Sequence, residues 1–508
     1  MTIRLFMVLV FVSALMMSSP VLALILVSTS DDELVVDGDC SLREAIESAN
    51  TNTSFDNCGR GAPGPEPDNI IIPLIDTLTL ATPIAITEAV TISGVSATET
   101  LISGDGSSQL FQVDLGTGTG DVVFEDLSMI DAFVNDITGG GAMVVECAPL
   151  LRIENVHFRN NVSAGTGLEN GPGGALRMRP TSACNARLEL IDTTFVGNRS
   201  LANSGGAVWL SNSSGGFNSV LINRNQFVDN QSNTGGGALF GFDIPNNMVL
   251  NSVFEGNQAG ISGPNFEAGG AIYLNANNVG VAGAIFRGLS FVNNRAGLRG
   301  GALYLEGSQS VSFTNGSLVG NTLSNTTADV MGHAISLNDN ARFTGLFLTL
   351  WNNGNEFSDE SAFDIRFNAE AFLGHSILAN AWPSTDLCRI GGSATLDSLG
   401  YLVDQSSSCA RETTDQSLTD PDLFGPVRRP TTAASFSMPV MVPKSGSPAV
   451  DIGPSTCPGI LGTTTTSDQL GRTRPVLDNR RGAADCDAGA IERQSDELPE
   501  LFQDRFES

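Results

Sequence analysis

Two interleaved motifs recur through the middle of this chain at a nearly constant interval. Gly-Gly-Ala followed by an aliphatic residue, or a close variant, places its Ala at 142, 175, 207, 238, 271, 302 and 334, at spacings of 33, 32, 31, 33, 31 and 32. Between these runs Phe-x-x-Asn: Phe158 with Asn161, Phe195 with Asn198, Phe227 with Asn230, Phe254 with Asn257, and Phe291 with Asn294. Leu318 with Asn321 continues the series. A unit this short, built of brief apolar runs, cannot bury its own apolar face, so successive units must stack.

The local pattern selects strands. Ala207-Val208-Trp209-Leu210, Ala271-Ile272-Tyr273-Leu274 and Ala302-Leu303-Tyr304-Leu305 combine Gly pairs with aliphatic and aromatic residues, which disfavours helix. Stacked coils set equivalent residues about 4.8 Å apart. Gly-Gly then serves a tight corner at positive φ. The motif Asn is expected at a second, left-handed corner, bonded to the Asn above and below. The predicted architecture is all-β, a parallel β-solenoid. A β-propeller has repeats of about 40–45 residues with four longer strands each, and that hairpin pattern is absent. Earlier runs such as Ile70-Ile71-Ile72, Val90-Thr91-Ile92 and Leu101-Ile102-Ser103 extend the array towards the N-terminus.

A solenoid end exposes unpaired strand edges and needs a cover. Ser41 with Glu44 three residues later forms a capping box, and Leu42, Ala45, Ile46 and Ala49 share one helical face. Before it, Arg4, the apolar run to Met17 and Val21-Leu22-Ala23 read as a cleavable export signal. The expected division is 1–23 signal peptide, 24–69 N-terminal cap, 70–415 β-helix, 416–493 C-terminal capping region and 494–508 acidic tail. All eight Cys lie beyond the signal, and an even count in an exported chain reads as disulfides. Neighbour pairing suits a fold of sequential local units: Cys40 with Cys58, Cys147 with Cys184, Cys388 with Cys409, and Cys457 with Cys486. Eight Cys allow 105 pairings, so spacing alone leaves the connectivity open.

The segment Cys40 through Asn50 reproduces the motif of the CSLREA-type proteins, and the chain resembles that family of exported bacterial chains with right-handed parallel β-helix repeats. The repeats are also similar to those of polymorphic outer-membrane proteins, which are surface adhesins. The C-terminal stretches Gly446 to Gly453, Asp468 to Pro475 and Cys486 to Glu492 look like the segment that commonly closes such helices. The resemblance implies a right-handed, pectin lyase-like β-helix displayed at the bacterial outer membrane or cell surface, or secreted. It implies no particular activity.

Charge and chemistry narrow the function. A formal net charge of −29 with a single Lys, Lys444, argues against nucleic acid as a partner. No run beyond the signal approaches the length of a transmembrane helix. Polygalacturonase-like hydrolysis needs clustered Asp, His and an Arg-x-Lys clamp; the only adjacent Asp pair is Asp31-Asp32, outside the array, and Lys444 follows Val442-Pro443. His333 falls at the second repeat Gly, and His157 and His375 sit beside strand-like runs, so all three read as structural. Arg428-Arg429-Pro430 begins a lyase-like Arg-x-Pro-x-x-Arg pattern that ends in Ala433. Asp468 to Pro475 reads as a brace, with Arg472 or Arg474 paired to acids such as Asp487. Catalytic and cofactor-binding residues are therefore expected to be none. Acid-rich loops could hold Ca²⁺, but no regular Ca²⁺-binding nonapeptide occurs. The expected role is adhesion or surface structure through non-catalytic binding of a surface glycan or protein, with contacts on the loops Ser163 to Pro172 and Gln258 to Ala268. The alternative is a polysaccharide lyase or hydrolase with an unrecognised site.

Overall fold

Most coils of the chain pass through three parallel sheets in turn. In the computed structural model, the residues described are 23–73, 76–166, 172–260, 268–277, 283–324, 330–354, 361–380, 386–406, 408–409, 412–418, 438–444, 447–476 and 484–494. Sheet B has 11 strands, beginning with Ile84–Ile86 and ending with Cys388–Gly391. Sheet A, with 21 strands, takes each coil through two consecutive stretches; in long strands such as Leu150–Arg159 both lie in one element. Sheet C has seven two-residue strands, from Phe133–Val134 to Thr322–Leu323. Pairing is in register. In sheet B, Leu176 lies beside Val208, then Leu239, Ile272 and Leu303, all facing inward and buried. The result is the parallel β-solenoid that the repeat requires.

The two repeat motifs form internal columns. Phe158, Phe195, Phe227, Phe254 and Phe291 stack with ring centroids 4.8, 4.8, 4.7 and 5.0 Å apart and planes within 11°. All five are fully buried. Beside them runs a column of amides from Asn161 through Asn198, Asn230, Asn257, Asn294 and Asn321 to Asn353, all buried. Asn198 is representative. Its backbone N–H and Nδ2 both donate to Asn230 Oδ1, at 3.0 and 2.9 Å, and Nδ2 also donates to the Phe158 carbonyl at 3.0 Å. Its own Oδ1 accepts from the backbone and side chain of Asn161. Every polar atom of such an amide is satisfied, which is the condition for burying it.

One expectation changes here. The left-handed corner is occupied by the residue before the motif Asn, which itself faces inward. Asn160, Gly197, Asp229, Gly256, Asn293, Gly320 and Asn352 all have positive φ. The identities alternate for a steric reason: a Cβ on Gly197, Gly256 or Gly320 would lie 3.0 Å or less from the side-chain oxygen of Asn160, Asp229 or Asn293. An Asn or Asp side chain leans over the next coil, and only glycine fits beneath it. The Gly-Gly pair likewise divides its work. The first glycine, as in Gly205 and Gly236, has positive φ, whereas a Cβ on the second, as in Gly206 and Gly237, would strike the carbonyl of the next coil.

The one α-helix among the described residues, Leu42–Thr51, carries the predicted capping box between Ser41 and Glu44. It lies against the first strand of sheet B and satisfies that strand's outer edge. Asn50 donates to the Ala85 carbonyl and accepts from Thr87 N–H, and Arg43 donates to the carbonyls of Thr82 and Pro83. A salt bridge of 2.7 Å to Asp32 fixes Arg43. The described part of the C-terminal region lies as a strap along the flank of sheet A, from Val253 to the last coils. It follows the outward positions Ser290, Ser317 and Thr349, whose small side chains let backbone approach. Gln469 Nε2 donates to the Leu289 carbonyl and Ser290 Oγ, Ser317 donates to Gln469, and Ala490 N–H donates to Thr349.

These columns predict unequal costs. Phe227→Ala should destabilise by roughly 3–5 kcal/mol, as for other buried aromatics. Asn230→Ala should cost about 1–3 kcal/mol by stranding its neighbours' donors. Hydrogen exchange should show both losses spreading from the adjacent coils, since coupling in a solenoid is to nearest neighbours. Parent-like exchange in both variants would contradict the column assignments.

Candidate functional site

The chemistry-bearing surface is the outward face of sheet B. Register aligns the outward residues Arg177, Trp209, Phe240, Tyr273, Tyr304, Ser336, Asp364 and Arg389 into a row that crosses the coils. A second outward row runs beside it through Ser211, Phe242, Asn275 and Glu306. Four rings meet in sequence: Trp209 stacks on Phe240 at 6.0 Å, Phe240 meets Tyr273 edge-on at 5.1 Å, and Tyr273 meets Tyr304 at 5.0 Å. Phe240, Phe242 and Tyr273 stay partly exposed, while Trp209 and Tyr304 are buried.

The polar groups of this face are tied to one another. Tyr273 and Tyr304 both donate to the Glu306 carboxylate, the second at 3.1 Å, and Asn275 Nδ2 donates to it at 3.0 Å. Arg299 Nη1 donates to the Tyr304 hydroxyl at 3.0 Å. Arg177 pairs with Glu146 at 2.6 Å and lies over the Trp209 ring. Arg366 pairs with Asp364 at 2.9 Å. Burial, reinforced by the Glu306 charge, pushes both phenols well above their usual value. They stay protonated at neutral pH, which is the wrong state for a base that abstracts a sugar-ring proton.

A second cluster holds the strap. Arg472 pairs with Asp468 at 2.8 Å, and the buried Arg474 pairs with Glu492 at 3.2 Å while its guanidinium lies 4.2 Å from the centre of the Phe347 ring. The expected brace is present with different partners. Asp487 instead accepts backbone N–H groups of Asp451 and Arg493. Burial and the neighbouring Glu492 push Asp487 up to about 8, and burial also raises Glu492. His375 packs between Phe347 and Tyr401, and burial followed by the Arg474 charge pushes it down to about 4. Between strap and sheet A lies a cleft of about 290 Å³ lined by Ile285, Arg287, Ile460 and the Thr463 to Thr466 run. That is at the lower limit for a small-molecule pocket.

The other sequence-selected residues are distributed structurally. The disulfides join Cys40–Cys58, Cys147–Cys184, Cys388–Cys409 and Cys457–Cys486. The Phe and Asn columns are sealed inside the solenoid. His333 occupies the second-glycine position, buried, with Nδ1 accepting from Leu323 N–H. His157 is half-buried on sheet A, and burial followed by Arg159 lowers it. Among the described residues no cluster of three or more His, Cys, Asp or Glu is placed to hold a metal, and no helix is long and apolar enough to cross a membrane. The export signal, Arg428 to Pro430 and the tail beyond Gln494 lie outside the described residues, as do the centres of both candidate loops. The sheet B row was missed because its aromatics were read only as strand formers; their outward parity, one after each aliphatic, was the available signal. The chain matches no protein-family model, no curated protein and no solved structure.

The strap should respond to pH with a defined sign. Asp487 binds its proton more tightly folded than unfolded, so its contribution falls as pH rises from about 4 towards about 8. His375 binds its proton less tightly folded, so its contribution falls as pH drops from 6.5 towards about 4. The two oppose each other below pH 6.5, and above it the coupled buried acids Asp487 and Glu492 act together. Exchange protection of residues 447–476 should therefore weaken as pH rises above 6.5. Asp487→Asn should shrink that decline; an unchanged profile would refute the assignment.

Proposed function

We propose that this chain is an exported, surface-displayed or secreted β-helix that binds an external partner along sheet B without transforming it, in an adhesive or surface-structural role. The observation that carries this reading is the outward aromatic row with its interlinked phenols, arginines and acids. Its rings are continuous over four coils, and its phenols and arginines are engaged with neighbouring acids or each other, in protonation states suited to holding a ligand. A general base free to titrate near neutrality is what catalysis on this face would need. Four disulfides fit an oxidising compartment. The likeness of Cys40 to Asn50 to the CSLREA motif supports the same placement, as does the helix that this segment forms over the first coil.

The test separates binding from turnover. Purified mature protein incubated with pectin, alginate and glycosaminoglycans, with and without Ca²⁺, should release neither unsaturated products nor new reducing ends. A panel of glycans and surface proteins should instead show retention, weakened by Phe240→Ala. Turnover that one Glu306, Arg177 or Arg299 substitution abolishes would establish the enzymatic alternative.

A further inference from the structure

We infer that the ligand of sheet B is a neutral polysaccharide laid along the solenoid axis, contacted by the partly exposed faces and edges of Phe240, Phe242 and Tyr273 and oriented by Glu306. This inference rests on the non-catalytic binding reading above and narrows it to one ligand class.

Three observations select that class. The first is repetition. Phe240 and Tyr273, the two rings of the row that keep open surface, lie on adjacent coils 5.1 Å apart with Phe242 beside them, so they suit a ligand with ring-sized units at about one per coil. Tyr273 stands at 82° to Phe240, and its ring atoms lie over Gly235, where any side chain would collide. The row thus broadens at this coil. Sugar rings present C–H groups to aromatic surface and hydroxyls to planar polar groups, and this coil offers both.

The second is the polar complement. Asn275 Nδ2 is spent on Glu306 and on the Tyr273 hydroxyl, at 3.0 and 3.3 Å. The partly exposed Glu306 accepts from Tyr273, Tyr304 and Asn275. A carboxylate accepts at about four sites, so it keeps capacity for a sugar hydroxyl, which is a donor.

The third is what the face withholds. An anionic polymer would meet a chain of net charge −29, and the arginines of the stripe are engaged: Arg177 by Glu146, Arg299 by Tyr304, and Arg366 by Asp364. An extended peptide binds sheets by adding to an open edge, yet the strands bearing these residues are paired on both sides. A neutral glycan needs neither a cationic clamp nor a free edge.

The experiment uses the full mature chain in affinity electrophoresis through gels containing a neutral β-glucan, a galactomannan or a xylan. Neutral oligosaccharides of increasing length then compete. At least one neutral polymer should retard the protein, and competition should strengthen with length until the row is spanned. Phe240→Ala combined with Phe242→Ala should weaken retardation about tenfold, which is about 1.4 kcal/mol. Glu306→Gln should weaken it as well, and Tyr273→Phe, which keeps the ring, should weaken it less than Tyr273→Ala. Met248→Ser, at an exposed outward position of sheet A, should leave it unchanged. Thermal melts matching the parent confirm that these variants fold. Absence of retardation in every neutral polymer, or retardation untouched by the Phe240 and Phe242 pair, overturns the inference. A protein ligand whose binding the same pair abolishes would overturn the glycan assignment while leaving the binding function standing. Turnover of any polymer would overturn both.

Discussion

In-register stacking of identical backbone positions is the constraint from which the rest of this structure follows. The amide column makes it strict. Each asparagine from Asn161 to Asn321 draws hydrogen bonds from both neighbouring coils, so a slip of one residue in any coil would strand buried donors and acceptors on two levels. A one-residue slip would also turn the Phe column outward, because strand side chains alternate. The two penalties act on the same coil. They explain why the Phe-x-x-Asn spacing is held while the connecting loops vary in length.

Stacking also determines which corners tolerate which residues. Along most of the array the left-handed bend within sheet A is taken by Asp126, Asn155, Asp192, Arg224, Asn251, Gly288 and Asn315, and all but Arg224, which pairs with Asp192, are residues that reach positive φ at little cost. Further along, the equivalent bends are Phe347, His375 and Tyr401, all at positive φ. Bulky residues in that region carry backbone strain of order 1–3 kcal/mol each. They sit where the strap docks: Arg474 lies over Phe347, Gly489 N–H donates to the His375 carbonyl, and the Cys457–Cys486 bridge packs beside Phe347. The aromatic corners are thus the socket of the strap, and its contacts offset their strain.

The features legible in the sequence were those that repeat or close locally. Columns of Phe and Asn advertise themselves because stacking demands the same residue at each level, and Ser41 with Glu44 signals a helix start within four residues. Two features were not legible. The strap was expected over the end of the array, but its placement depends on small outward residues such as Ser290 and Ser317, which carry no periodic mark. The alternation of Asn or Asp with Gly at the left-handed corner has a period of two coils, twice the interval at which the motifs repeat. The outward row of sheet B escaped notice for a related reason: no packing requirement keeps Trp209, Phe240, Tyr273 and Tyr304 alike.

That freedom is also what makes the row informative. An outward position on a solenoid has no core to fill, so its default occupant is small or polar. Departures from that default on this molecule have visible causes where the structure supplies a cover. On sheet A, outward Val253 and Ile377 are apolar because the strap lies on them. On sheet B the rings pack against each other, yet Phe240, Phe242 and Tyr273 keep open surface beside an amide and a carboxylate. On this face the arginines and acids are paired, Arg177 with Glu146 and Arg366 with Asp364, so its local character comes from its rings and hydrogen bonds and not from uncompensated charge.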